Sequence, residues 1–276
     1  MRVSAFGTIS IAPPFRLKRA ELAQILCQIR FSPILRLQQD DAIIPFQEAI
    51  RAEYSGYTKQ SSTALLVTPE GVQQQSAGAP LHRFEDPASG LSALLATDFV
   101  ALEATAYVDI ENFASRLVQL AGAVKREYEP AQMTRMGLRF INELRLQSTN
   151  PKADMLQAIS PALLGPAGAQ ELHEPLQSAQ QVLELAGEGH RMIVRHGLFP
   201  QGGSTVASFG GNFNPDPRPF YLLDIDVFSE ERVVYSVEGV ETRLREFNGM
   251  TRTFFAWAVQ EKYRRAVLGQ EDEAQA

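Results

Sequence analysis

The chain has 276 residues, 45% of them hydrophobic and 21% charged, with a formal net charge of −6. That length suits one large domain or two intimately packed halves, and the composition excludes the low-hydrophobicity, high-charge class that stays unfolded. One cysteine excludes an intramolecular disulfide, four dispersed histidines give no zinc-ligand spacing, and the acidic balance argues against a broad basic surface for duplex nucleic acid.

The cysteine usage fits a reducing compartment, and a cytoplasmic location is expected. Residues 1 to 15 are apolar, but Pro13 and Pro14 interrupt them and the basic cluster follows the run, so no secretory signal is expected there. No later stretch reaches the roughly 20 apolar residues a membrane span requires, so no membrane partner is expected. The first 40 residues carry six basic and two acidic side chains. Residues 269–276, with Glu271, Asp272 and Glu273 and no base, read as a disordered acidic tail.

In chain order, residues 26–31 alternate and predict the first strand, with Cys27, Ile29 and Phe31 on one face and Gln28 and Arg30 on the other. Cys27 has the parity of a small buried hydrophobe. Asp40 or Asp41 can cap a helix in which Phe46, Ile50 and Tyr54 recur four apart. Residues 64–68, 81–85 and a long run at 92–108 predict antiparallel strands. Asp109 is placed to cap a helix bearing Phe113, Leu117, Leu120, Val124 and Tyr128 at helical spacing, stopped by Pro130. Residues 133–146 alternate, with Met136, Leu138, Phe140, Asn142 and Leu144 opposite Arg135, Gly137, Arg139, Ile141, Glu143 and Arg145.

Residues 150–175 are rich in Pro, Ala and Gly and read as a connector. Strands follow near 180–185, 191–199 and 220–228, and residues 201–219 form a long aperiodic loop of the functional or disordered kind. Ser236 is placed to cap a final helix whose stripe is Val240, Leu244, Phe247, Thr251, Phe254 and Ala258, widened by Phe255 and Trp257. Strands and helices do not alternate strictly, which predicts α+β: an antiparallel or mixed sheet with long helices on one face. The expected division is a first half at 1–150 and a second at 151–268. Residues 95–128 and 222–257 share a plan, with Tyr107 and Tyr235 in equivalent places, as either a diverged repeat or two unrelated strand-to-helix units would.

At Arg135-Met136-Gly137-Leu138-Arg139-Phe140-Ile141-Asn142 the chain resembles a sporadically distributed, uncharacterised bacterial protein family. The resemblance extends to Phe46-Gln47, Tyr107 and the Leu223 to Asp226 strand, and spans roughly residues 22–259. It carries no established reaction. What it implies is a place in mobile or accessory gene clusters, including antiviral defence.

Strand parity supplies the candidate site. Arg135, Arg139, Glu143 and Arg145 share a face of one strand, Arg191 and Arg195 of a second, and Asp224 and Asp226 of a third. If these strands are neighbours, their charges form either a salt-bridged surface or a ligand groove, with Gly137 leaving floor space beside Arg139. Asp224 and Asp226 could instead begin a divalent-metal site, completed by Glu143 or by Asn212, Asn214 and Asp216. His190 and His196, six residues apart in a strand, stand about 20 Å apart and cannot cooperate. No phosphate loop, nucleophile elbow, HExxH or CxxC is present. The leading expectation is a non-catalytic binding or accessory protein, without a cofactor, whose polar face takes an anionic ligand or a protein partner. The alternatives are a metal-dependent nuclease or phosphohydrolase and a single-stranded RNA binder; oligomeric state is not legible.

Overall fold

The structure, a computed structural model, describes residues 9–68, 71–146, 150–172, 176, 178–199 and 218–272, with side chains described outside 61–79 and 151. In chain order the elements are β1 (Phe15–Leu17), β2 (Leu22–Phe31), α1 (Ile44–Ile50), β3 (Gly56–Thr68), β4 (Gly71–Asp86), β5 (Leu91–Leu95), β6 (Phe99–Ala104), α2 (Ile110–Tyr128) and β7 (Gln132–Arg145). There follow α3 (Pro151–Ala158), α4 (Pro161–Leu164), β8 (Ala179–Ala186), β9 (Arg191–Phe199), β10 (Phe220–Ser229), β11 (Val233–Val234), α5 (Val237–Ala258), α6 (Glu261–Ala266) and β12 (Gln270–Asp272). The protein is α+β with a large antiparallel sheet, as the mixed periodicity predicts. Among the described residues no helix is long and apolar enough to cross a membrane.

Two compact units are present, each built from separated stretches. One holds Leu26–Gly137 and Ser229–Leu244, the other Met1–Ile25, Leu138–Phe228 and Arg245–Ala276, so β2, β7 and α5 contribute residues to both. Within the unit containing α2, the strand order is β3-β4-β5-β6-β2-β7, with β11 on β7. The Asp109 carboxylate accepts from the Asn112 N–H at 2.8 Å and starts α2, a cap that satisfies an otherwise orphaned donor. The buried stripe of α2 runs from Phe113 to Tyr128, whose hydroxyl donates to the Ala42 carbonyl at 2.9 Å. Phe46 of α1 packs edge-on to Phe84 of β4, ring centroids 5.5 Å apart.

Two local expectations change. Residues 92–108 form two strands, β5 and β6, because the chain turns at residues 96–98, where the Ala96 N–H donates to the Phe99 carbonyl at 2.9 Å. Neither Asp40 nor Asp41 caps α1; both sit in a 3-10 turn, Asp40–Ile43, that runs straight into the helix.

In the unit containing β8, the strand order is β2-β7-β10-β9-β8. The stretch read as a connector holds α3, α4 and two 3-10 turns. The tail read as disordered from Gly269 instead supplies β12, antiparallel to β1, with Phe15 opposite Asp272. Backbone pairing and charge do this without apolar side chains: Arg265 donates to Asp272 at 2.9 Å, and Arg264 to the Gln270 side chain at 2.8 Å. At the C-terminal ends of α3 and α5, the Ser160 N–H donates to the Ala258 carbonyl at 2.8 Å and the Gln260 N–H to the Ala158 carbonyl at 2.7 Å. An Ile159–Val259 bridge sits between them. Ser236 caps α5 by accepting from the Gly239 N–H at 3.1 Å. Val240, Leu244, Phe247, Thr251, Phe254 and Ala258 are all buried, whereas Trp257 stays 37% exposed.

Candidate functional site

β10 sets the geometry. Tyr221, Leu223, Ile225 and Val227 occupy its core face and are all buried, which by the period of two puts Phe220, Leu222, Asp224, Asp226 and Phe228 on the other face. The antiparallel register with β9 sets Phe220 opposite Phe199, Leu222 opposite Gly197, Asp224 opposite Arg195 and Asp226 opposite Ile193. On β8, Val182 stands opposite Arg195 in turn.

The Asp224 side chain is only 3% exposed and bonds the guanidiniums of Arg139 and Arg195, whose side chains are 35% and 43% exposed. Arg139 grips it with two parallel bonds, Nε to Oδ1 at 2.7 Å and Nη2 to Oδ2 at 2.8 Å, and Arg195 Nη1 donates to Oδ2 at 3.5 Å. The two-pronged geometry is the strong form of a charge-assisted pair. Its hydrogen bonds raise the Arg139 pKa above the ordinary value against the opposing effect of burial, with Asp224 and Asp226 adding electrostatic support. The neighbouring Asn142 side chain donates to the Leu223 carbonyl at 2.9 Å and ties β7 to β10.

The remaining expected residues sit in other arrangements. Glu143 accepts from Arg145, whose guanidinium also donates to the Arg218 carbonyl at 3.0 Å and stands 4.5 Å over the Phe220 ring. Phe220 stacks on Phe199 at 4.9 Å. Arg191 pairs with Glu184 across the β8–β9 ladder. Arg135 belongs to the other unit, where its Nη1 donates to the Gln28 side chain at 3.4 Å. It lies over Gly137, whose missing Cβ would stand 2.9 Å from that nitrogen. Of the seven residues singled out, then, Arg139, Arg195 and Asp224 make one bonded cluster with Asp226 beside it.

A metal at Asp224 would have to displace the arginines that its carboxylate already serves. Among the described residues no three His, Cys, Asp or Glu side chains converge to hold a metal ion, and Asn212, Asn214 and Asp216 lie outside the described residues.

Parity turns His196 toward the core with Val194 and Leu198, where it is buried, but it does not reveal the partners of three buried polar groups. His196 shares a hydrogen bond with the Tyr221 hydroxyl, and His82 with that of Tyr57. Glu21, its pKa raised mainly by burial, accepts from the Arg145 N–H and pairs with Arg19 at 2.7 Å. Each depends on which residues face each other across strands, information that alternation within one strand does not contain. Comparison with known proteins finds no family model that matches the chain and no curated protein that matches it.

Proposed function

We propose that this protein is a non-catalytic binding or accessory protein whose Arg139–Asp224–Arg195 cluster receives an anionic group, a carboxylate or a phosphate, from a ligand or partner protein. The observation that carries this reading is a single buried carboxylate orienting two partly exposed guanidiniums. Asp224 uses Nε and Nη2 of Arg139 and Nη1 of Arg195, and their other guanidinium nitrogens make no hydrogen bond among the described residues. A guanidinium held from behind presents its donors with less entropy to lose on binding. Asp226, near enough to support the charge on Arg139, keeps the cluster close to neutral, so recognition rests on donor geometry more than on net charge. That weighs against an RNA polyanion, and the paired hydrogen bonds from Arg139 already occupy both Asp224 oxygens that a metal would need. The family resemblance adds the proposal that the gene belongs to a mobile or defence-associated cluster.

Titration with inorganic phosphate and with acetate, followed by amide chemical shifts, tests the site. Arg195→Gln should weaken anion binding by about tenfold while changing stability by about 1 kcal/mol or less, because this pair is long and half exposed. Anion binding that is absent, or indifferent to Arg195→Gln, would overturn the reading. RNA affinity falling steeply with salt, or stabilisation by manganese that Asp224→Asn abolishes, would favour one of the two alternatives instead.

A further inference from the structure

β8 is the end strand in the order of its unit. It pairs with β9 through eight consecutive residues without a bulge and, among the described residues, with no other strand. The outer edge of such a strand offers a row of backbone donors and acceptors, and soluble proteins usually blunt it with proline, lysine, a bulge or unpaired charge. β8 has none of these. Its sequence, Ala179 to Ala186, contains no proline and no basic residue, and its one charge, Glu184, is already neutralised by Arg191. Alternate residues Gln180, Val182, Glu184 and Ala186 are exposed, with Val182 66% so.

We propose that two copies of this chain join β8 to β8, antiparallel, around a two-fold axis at Val182. The order Gln180-x-Val182-x-Glu184 is complementary to itself when reversed. Val182 meets Val182 of the second copy on the axis, and each Gln180 amide donates to Glu184 of the other copy. The two carboxylates then stand about 13 Å apart along the strands, beyond the reach of direct repulsion. The closed two-fold arrangement uses the same edge of each copy and so does not propagate through β8. A segment of another protein could form the same backbone ladder, but it would have no reason to carry this reversed polar order. The proposal does not depend on the anion site.

Sedimentation equilibrium of the full chain tests it. The wild type should dimerise, and Val182→Lys and Val182→Glu should each weaken the dimer by about tenfold or more, since like charges would meet on the axis. An equimolar mixture of the two variants should recover it through opposite charges. Position 182 is open to solvent, so both variants should fold, and unchanged far-ultraviolet circular dichroism verifies that. A wild type that stays monomeric at its highest soluble concentration overturns the proposal. So does a dimer indifferent to both substitutions, or one that the mixture fails to restore. A monomer whose β8 amides are slow to exchange places another segment on the edge and equally overturns self-pairing.

Discussion

The Tyr221 hydroxyl lies 2.8 Å from Nδ1 of His196, diagonally across the β9–β10 ladder. In the other unit, the Tyr57 hydroxyl lies 3.0 Å from Nδ1 of His82, across β3–β4, on the same diagonal. Each histidine sits two residues before the one opposite its tyrosine, Leu198 in one case and Phe84 in the other. In both pairs the imidazole Nε2 is buried and has no hydrogen-bond partner among the described residues. In chain order the tyrosine comes first in one pair and the histidine in the other, so the shared diagonal is a local strand-pair arrangement and not the trace of a repeat.

This geometry makes stability depend on acidity. Burial holds both imidazoles below their ordinary value of 6.5, and nearby Lys59 adds to the effect at His82. The unfolded chain takes up protons below that value while the folded chain resists. The stability contribution is therefore complete above 6.5 and is lost as pH falls through the lower folded-state values. The urea midpoint should be lower at pH 5 than at pH 7.5, and His196→Gln should narrow the gap. An identical gap in the variant would remove His196 from the account.

The three members of the charged cluster should differ sharply in cost. Asp224→Ala strands two guanidiniums around an empty place and is expected to cost about 3–5 kcal/mol. Arg139→Gln leaves Asp224 one arginine and should cost about 1.5–3 kcal/mol, with Arg195→Gln the mildest. Chemical denaturation of the three variants checks the order. Equal losses would mean that Asp224 does not organise the cluster.

Glycines give a contrast in sign. A Cβ at Gly197 would stand 2.1 Å from the Ala179 carbonyl oxygen, a backbone atom that cannot swing aside. Gly197→Ala should cost about 3 kcal/mol, the upper end of ordinary overpacking, by pushing β8 from β9. Gly122 in α2 and Gly249 in α5 have, beyond their own helix backbone and chain neighbours, nothing among the described residues within 4 Å of the same position, so alanine there should stabilise by about 0.5–1 kcal/mol each. Thermal unfolding of the three variants distinguishes these signs.

Deleting residues 269–276 should lower stability by about 1–2 kcal/mol. The deletion removes β12, the Arg265–Asp272 pair and one of the two hydrogen-bond acceptors of the Arg264 guanidinium, leaving the Val259 carbonyl, and Arg264 is itself buried. A melting temperature unchanged by the deletion would show that β12 adds nothing.

Much of the architecture is readable from period and punctuation. Asp109 and Ser236 cap their helices because a short oxygen-bearing side chain just before an apolar stripe has one cheap place to bond. The bounds of β9 follow from the alternation of Arg191 to Phe199, and the same parity puts Arg139 and Asp224 on the polar sides of their strands. Parity names a face but not a neighbour. Arg191 is therefore drawn to Glu184 and Arg135 to Gln28, partners that only the register reveals, whereas Glu143 pairs with Arg145 on the same face of its own strand. The tail was illegible for a different reason. Gln270 to Asp272 has no apolar side chain, so a pattern built on burial has nothing to detect where backbone pairing and ion pairs hold a strand.

The reciprocal closure of α3 and α5 has a consequence for motion. Helix ends ordinarily fray singly, because the last carbonyls lack partners and little is lost when one turn opens. Here the final carbonyl of each helix is held by an amide just past the end of the other, and the Gln260 side chain adds a bond at 2.9 Å to the Ile159 carbonyl, 101 residues away in the chain. Neither end can unwind by a turn without releasing its counterpart. Fraying at these two sites is therefore one concerted event, and closing it again requires two distant stretches of chain to find each other, which costs loop-closure entropy that a single helix end never faces.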